Sequence, residues 1–150
     1  MTSLTSFKEI SVDEEVKNGY LREKPHAHAV EVHECGNLRL LMWYTTKGVS
    51  FTLCRLEKTF DLSPYIKNVE YITDDVLLLT VEKNEQFFYR IPWHKMTNNK
   101  RISFEEGELS IYFICNTWRM FRHLVVLTSP FKTTATFNLK TFKLSPWQYP

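Results

Sequence analysis

Glycine is scarce in this chain: there are four in 150 residues, Gly19, Gly36, Gly48 and Gly107, each isolated. That excludes a glycine-rich loop whose backbone N–H groups cradle phosphates. Cysteine is too sparse for a disulfide framework. Cys35, Cys54 and Cys115 are odd in number and form no CxxC, a usage that fits a reducing compartment. Long apolar runs are absent as well. Val76–Leu79 and Ile111–Cys115 span four and five residues, against roughly 20 needed to cross a bilayer. The first sixteen residues carry Lys8, Glu9, Asp13, Glu14 and Glu15 with no apolar core, which argues against a signal peptide. A cytoplasmic or nuclear protein with no membrane span is expected.

Aromatic residues are what the chain has in excess. They make up 15% of it (Phe 11, Tyr 7, Trp 4), with 43% hydrophobic and 24% charged residues overall. Disorder is excluded at this balance, and aromatic abundance suits half-buried sheet. The formal net charge of +2 hides an asymmetry. Residues 1–85 carry −4 and residues 86–150 carry +6, and from Leu109 onward five bases stand without one acid. Such an imbalance fits an anionic partner or simply two complementary halves.

Residues 1–25 read as an N-terminal leader with a short helix. Ser11 and Glu14 have capping-box spacing, Asp13, Glu14 and Glu15 fill the first turn, and Gly19 fits the position after the last turn. From residue 26 onward the chain reads as one all-β domain, 26–150. Runs of four to eight residues rich in Val, Ile, Thr and aromatics, bounded by Asn, Asp, Gly and Pro, mark ten to twelve strands. First strands start near Val30, Val69 and Leu109, a repeat of about 40 residues. This divides the domain into antiparallel four-stranded units at about 28–66, 67–107 and 108–145. Each unit has an apolar second strand: Leu40–Trp43, Leu77–Thr80 and Leu124–Leu127. Uninterrupted apolar character implies burial on both faces. Asn116–Arg122 then stands as an extra stretch inside the third unit.

Four antiparallel strands at this period resemble WD-repeat β-propeller blades over roughly residues 28–144. The family's Trp-Asp dipeptide is absent: the second unit has Ile91-Pro92-Trp93-His94, and the others have Arg55-Leu56 and Leu139-Lys140. No Gly-His pair precedes a first strand. The resemblance implies a propeller-like, incomplete ring, because propellers close with about four to eight blades. Three blades leave two apolar faces to be covered by a partner chain or a second copy. The alternative is a single closed β-barrel or β-sandwich of about ten strands.

The densest chemistry lies in Pro25–Cys35, with His26, His28, Glu31, His33, Glu34 and Cys35. All are metal-ligand types. His26 and His28 are weak metal candidates, since strand alternation would put them on one face with Glu34 and put His33 and Cys35 on the other. The pair resembles the His-x-His of cupins, with His94 and Asn98 echoing their second motif, so a metal-dependent cupin-like barrel enzyme is one alternative. Cys35 beside His33 lacks an orienting group for nucleophilic work. Asp74-Asp75 and Glu105-Glu106 fall at turns, where neighbouring carboxylates face water rather than a cleft. No catalytic residue and no cofactor are expected.

A binding surface is the stronger reading. Trp93, His94 and Lys95, then Asn98-Asn99-Lys100-Arg101, and then Trp118, Arg119, Met120, Phe121, Arg122 and His123 interleave aromatics with bases. Trp, Tyr and Arg anchor protein interfaces. The chain is therefore expected to be a non-catalytic protein-protein interaction or scaffold module, a subunit of a larger intracellular assembly, with Trp93, His94, Lys95, Trp118, Arg119, Phe121 and Arg122 at the contact. A protein partner or self-association would cover it. The alternative is nucleic-acid or anionic-lipid binding through the basic C-terminal half. Phosphoinositide-binding propellers carry Phe-Arg-Arg-Gly, which Phe121-Arg122-His123-Leu124 does not match. Pro146–Pro150 reads as an extended clasp.

Overall fold

A computed structural model describes residues 7–73, 75–95 and 103–150. Among the described residues the chain is mostly β with one α-helix, in three antiparallel sheets of which none closes on itself. No helix among the described residues is long and apolar enough to cross a membrane. Two compact units are present, one from residues 6–67 and 92–106, the other from 68–91 and 107–150.

The first unit is a five-stranded meander. Strands β1 (Lys8–Ile10), β2 (Ala27–Cys35), β3 (Leu38–Thr45), β4 (Gly48–Arg55) and β5 (Lys58–Asp61) pair in sequence order. Three two-residue turns set its register. Gly36 opens one of them at φ 58°, where lack of a Cβ removes the cost of a left-handed backbone. Helix α1 (Glu14–Glu23) starts later and runs longer than expected. Its cap is Asp13, whose carboxylate accepts from the Glu15 N–H at 3.4 Å, in place of Ser11. Gly19 lies inside the helix, at a cost of about 1 kcal/mol relative to alanine. Packing outweighs that cost: Tyr20 and Leu21 lie against Ala27, Val30, Val32, Leu41 and Trp43. Residues 8–10 are a strand of the sheet, so more than a helix precedes residue 26.

One polar chain runs through this unit. The buried Trp43 indole donates to Thr52 Oγ1 at 2.9 Å, and the Thr52 hydroxyl donates to Asp61 Oδ1 at 2.6 Å. It ties β3, β4 and β5 together by side chains as well as backbone. Phe60 on β5 meets Trp93 edge-on and stacks with Phe104.

The second unit holds two sheets. In one, β6 (Asn68–Thr73), β7 (Val76–Thr80) and β8 (Glu85–Arg90) pair in turn, and both β9 (Glu108–Leu109) and β10 (Phe113–Ile114) pair with β8. In the other, β11 (Thr117–Phe121), β12 (Leu124–Thr128), β13 (Thr134–Asn138) and β14 (Lys143–Leu144) form a meander. The sheets share a core of Tyr71, Val76, Leu78, Phe88, Phe113, Trp118, Val125, Leu127 and Phe137. Phe88 and Phe137 stack at 3.9 Å between ring centres. Strand β7 is buried on both faces, as its apolar run implies; β12 alternates, with Val125 and Leu127 buried and Leu124 and Val126 half-buried.

Two expectations about the repeat need correction. The strand expected to open the third unit at Leu109 instead completes the second sheet against β8. The stretch Asn116–Arg122, read as extra, contains β11, the true first strand of the third sheet. The physical reason lies in Ser110 and Gln86. Phe88 N–H donates to Ser110 Oγ at 2.7 Å, and Cys115 N–H donates to Gln86 Oε1 at 2.9 Å. Side-chain acceptors thus hold an irregular segment to β8 where backbone periodicity alone shows none. Of the four strands expected in the repeat at about 67–107, the last would fall on residues 101–104; residues 101 and 102 lie outside the described residues, and Phe104–Glu106 is a short 3-10 turn. Gly107 sits where a Cβ would collide with the Tyr89 side chain, so only glycine fits that approach.

Candidate interaction surface

Residues 108–114 form the outer edge of the second sheet, and among the described residues no strand pairs with their far side. Four large apolar side chains stand out there: Leu109 is 49% exposed, Ile111 66%, Tyr112 51% and Ile114 50%. Single exposed hydrophobics are ordinary, but four within six residues make a strip. Its shape follows from local chemistry. Phe113 turns inward onto Phe88, and Tyr112 meets Phe87 edge-on at 5.0 Å. The Ser110 bonds pin the backbone between them, leaving Ile111 and Ile114 outward. Sequence reasoning took this run as the first strand of the third unit and did not single it out as a surface. The available signal was its failure to alternate, with Ser110 the one polar residue between Leu109 and Cys115.

The residues chosen from the sequence divide between the two units. Trp93 lies in the first unit and is buried, its carbonyl accepting from Lys58 Nζ at 3.1 Å, while His94 and Lys95 are exposed. Asn98, Asn99, Lys100 and Arg101 lie outside the described residues. Trp118 lies in the second unit and is 2% exposed, tilted against Tyr71 at 5.5 Å. It belongs to the core, because β11 alternates and Trp118 occupies its inward face. Arg119 and Phe121 take the outward face of the same strand. Arg122 lies at the β11–β12 turn with its guanidinium 5.5 Å from the Phe121 ring centre. Trp118–His123 is therefore a strand and a tight turn, with Arg119, Phe121 and Arg122 presented to solvent.

The histidine-rich stretch does not assemble a site. His26 precedes β2, and His28 sits at a register shift between Ala27 and Ala29. That bulge breaks the alternation needed to place both histidines with Glu34 on one face. His33 instead lies 3.3 Å from Glu31. Among the described residues no three His, Cys, Asp or Glu side chains converge as metal ligands. Asp74 lies outside the described residues, and Asp75 stands 3.8 Å from Arg90 Nε. Glu105 and Glu106 close the turn at Ser103. Glu106 accepts from Ser103 N–H at 3.0 Å, and the Ser103 hydroxyl bonded to Glu105 holds its carboxyl below the ordinary 4.5. Such a carboxylate is a poor proton donor at neutral pH. Burial pushes the Cys54 and Cys115 thiols above their ordinary 9.0, the opposite of what activates a nucleophile.

No family model, curated protein or solved structure matches the chain.

Proposed function

We propose that the protein is a non-catalytic interaction module, a subunit of a larger intracellular assembly. The observation that supports this most directly is the apolar edge strip Leu109, Ile111, Tyr112 and Ile114. Such a strip is costly in water and ready to take an extended strand or an apolar surface from another chain. Arg119, Phe121 and Arg122 extend the binding surface on the third sheet, in keeping with the residue types that anchor interfaces. On this reading the three meander sheets are propeller-like units, akin to WD-repeat blades, that another chain or a second copy completes.

The experiment is size-exclusion chromatography with light scattering on the wild type and on the double variant Ile111→Asp/Ile114→Asp. The wild type is expected to run as an assembly, by itself or with a co-purifying protein. The variant is expected to stay folded by circular dichroism and to run at the 17.9 kDa of one chain. A wild type that stays a partner-free 17.9 kDa monomer overturns the proposal. So does a variant that assembles as well as the wild type.

A further inference from the structure

A groove of about 860 Å³ opens at one end of the second unit, where the turn before β7, the end of β8, the β11–β12 turn and the residues after β13 come together. We infer that this groove binds a small aromatic phosphate ester, its phosphate on Arg122 and Lys140 and its ring against Met120 and Leu139.

The argument starts from charge. Four of the lining residues are basic, Arg90, Arg122, His123 and Lys140, and Asp75 is the acid among them. Arg90 is already committed. Its Nη1 donates to Glu108 Oε2 at 3.3 Å, and its Nη2 donates to the Leu139 and Lys140 carbonyls at 2.9 and 3.3 Å. Its guanidinium also lies 4.7 Å from the Phe142 ring centre. Arg90 is thus a strut that fixes the chain at Leu139–Lys140, and Asp75 falls to it at 3.8 Å. Arg122 and Lys140 remain, and neither has a carboxylate partner among the described residues. Two cations without carboxylate partners at an open groove favour a multiply charged anion, and arginine's planar fork matches phosphate oxygens.

Backbone geometry sets these two cations side by side. The Leu139 N–H donates to the His123 carbonyl at 2.8 Å, tying the β11–β12 turn to the segment that follows β13. Arg122 sits at φ 56°, a left-handed conformation that glycine adopts freely and that costs arginine about 1 kcal/mol.

The remaining wall suits a flat apolar body. Met120 and Leu139, both half-buried, offer thioether and aliphatic surface there, and Met120 is held by the Tyr71 hydroxyl, which donates to its Sδ at 3.2 Å. Small-ligand sites run to roughly 300–1,000 Å³, mostly apolar with a few placed polar groups. The groove falls within that size range, and its lining is close to evenly polar and apolar. It lies apart from the edge strip, so the inference stands whatever covers Ile111; Arg122 is the one residue it shares with the interaction surface proposed on the third sheet.

The test is an amide-resolved NMR titration of the full chain at low salt with adenosine 5′-monophosphate as probe, alongside adenosine and inorganic phosphate. Saturable shifts are expected at Met120, Arg122, His123 and Lys140, with adenosine and phosphate each at least tenfold weaker. Arg122→Gln/Lys140→Gln, both exposed and off the core, is expected to weaken the monophosphate at least tenfold while keeping a dispersed spectrum. Absence of saturation by 5 mM probe overturns the assignment (about −3 kcal/mol of binding at that limit). Unchanged affinity in the double variant overturns it too, as does adenosine or phosphate binding equally well. A ten-nucleotide single strand that binds more than tenfold tighter than the monophosphate overturns the small-ligand assignment in favour of a nucleic acid.

Discussion

The two compact units build antiparallel sheet by different means. In the first, strands of eight and nine residues pair along nearly their whole length, and α1 lays Tyr20 and Leu21 over one face of the sheet. In the second, most strands run two to six residues, and two sheets cover each other through stacked rings. Short strands give more edge for the same buried area. Exposed large hydrophobics are fewer in the first unit, Val16, Leu56 and Tyr65, than in the second, Leu109, Ile111, Tyr112, Ile114, Phe121, Phe131 and Tyr149, where the first four stand on the edge of one sheet. A sheet with its own helical cover hides its apolar residues, while a pair of short-stranded sheets leaves some for another surface. Both the interaction strip and the basic groove accordingly belong to the second unit.

The largest effect is expected at the ring stack. Phe137→Ala removes the partner of Phe88 from a fully buried site. Loss of transfer energy plus the cavity left behind amounts to about 3–5 kcal/mol. Urea unfolding would show it as a lowered midpoint, and amide exchange would accelerate in β7, β8, β12 and β13. A loss below about 1 kcal/mol would mean that the stacked rings do not form the centre of this core.

Next comes a matched pair of tryptophans. Trp43 and Trp118 are 1% and 2% exposed. The first donates its indole N–H to Thr52, while the second has a buried N–H with no partner among the described residues. Trp43→Phe loses a hydrogen bond and leaves a buried acceptor short, a cost of about 1–3 kcal/mol beyond the lost ring area. Trp118→Phe loses only ring area and sheds an unpaired donor. Trp43→Phe is therefore expected to be the more damaging by about 1–2 kcal/mol in chemical denaturation. Equal costs would show that Trp118 is hydrogen-bonded after all.

The strands were legible in the sequence because their signals are local. Gly36 and Gly48 mark turns, and the nearly all-apolar run Leu38–Tyr44 between them is short enough to read as a strand. The division into sheets was less legible. Leu109–Cys115 looks like a first strand, and the bonds that give it to β8 come from Ser110 and from Gln86, more than twenty residues away in sequence. Nor could Trp118 be placed: a tryptophan between bases reads as an interface anchor until alternation along β11 turns it inward. The histidine cluster failed for a related reason, since a one-residue bulge at His28 cancels the parity on which a shared face depends. The groove was invisible because Arg90, Arg122 and Lys140 meet only through tertiary packing.

A smaller effect is expected at the turns. Gly36, Leu56 and Arg122 each open a two-residue hairpin turn, at φ 58°, 56° and 56°. Leucine lacks the conformational freedom of glycine there, and its side chain is 82% exposed. Leu56→Gly is expected to stabilise the protein by about 0.5–1 kcal/mol, because the strain removed exceeds the backbone entropy that glycine adds. Gly36→Ala should do the reverse by a similar amount. A destabilised Leu56→Gly variant would mean that Leu56 makes apolar contacts worth more than the strain.

The smallest expected effect is on the thiols, one in each unit. Cys54 and Cys115 are raised above the ordinary 9.0 chiefly by burial, which disfavours the thiolate. The Thr59 hydrogen bond opposes this at Cys54, and backbone hydrogen bonds with Thr128 and Thr117 oppose it at Cys115. A folded-state value above the unfolded one contributes stability that is complete below pH 9 and is lost as pH rises through the folded value. The neutral thiol is the form that the fold accommodates, so alkaline conditions above pH 9 pull toward the unfolded chain, where ionisation is unhindered. At pH 8 both native thiols should therefore react with iodoacetamide slower than in denaturant, by roughly several-fold or more, since thiolate fraction and access both fall. Peptide mapping after timed alkylation separates the two sites. If Cys115 reacts at its denatured rate while Cys54 is protected, the thiol held by the Thr117 carbonyl at 2.7 Å is open to solvent. The contrast between a covered first unit and an edge-exposed second one would then extend to the end of β10.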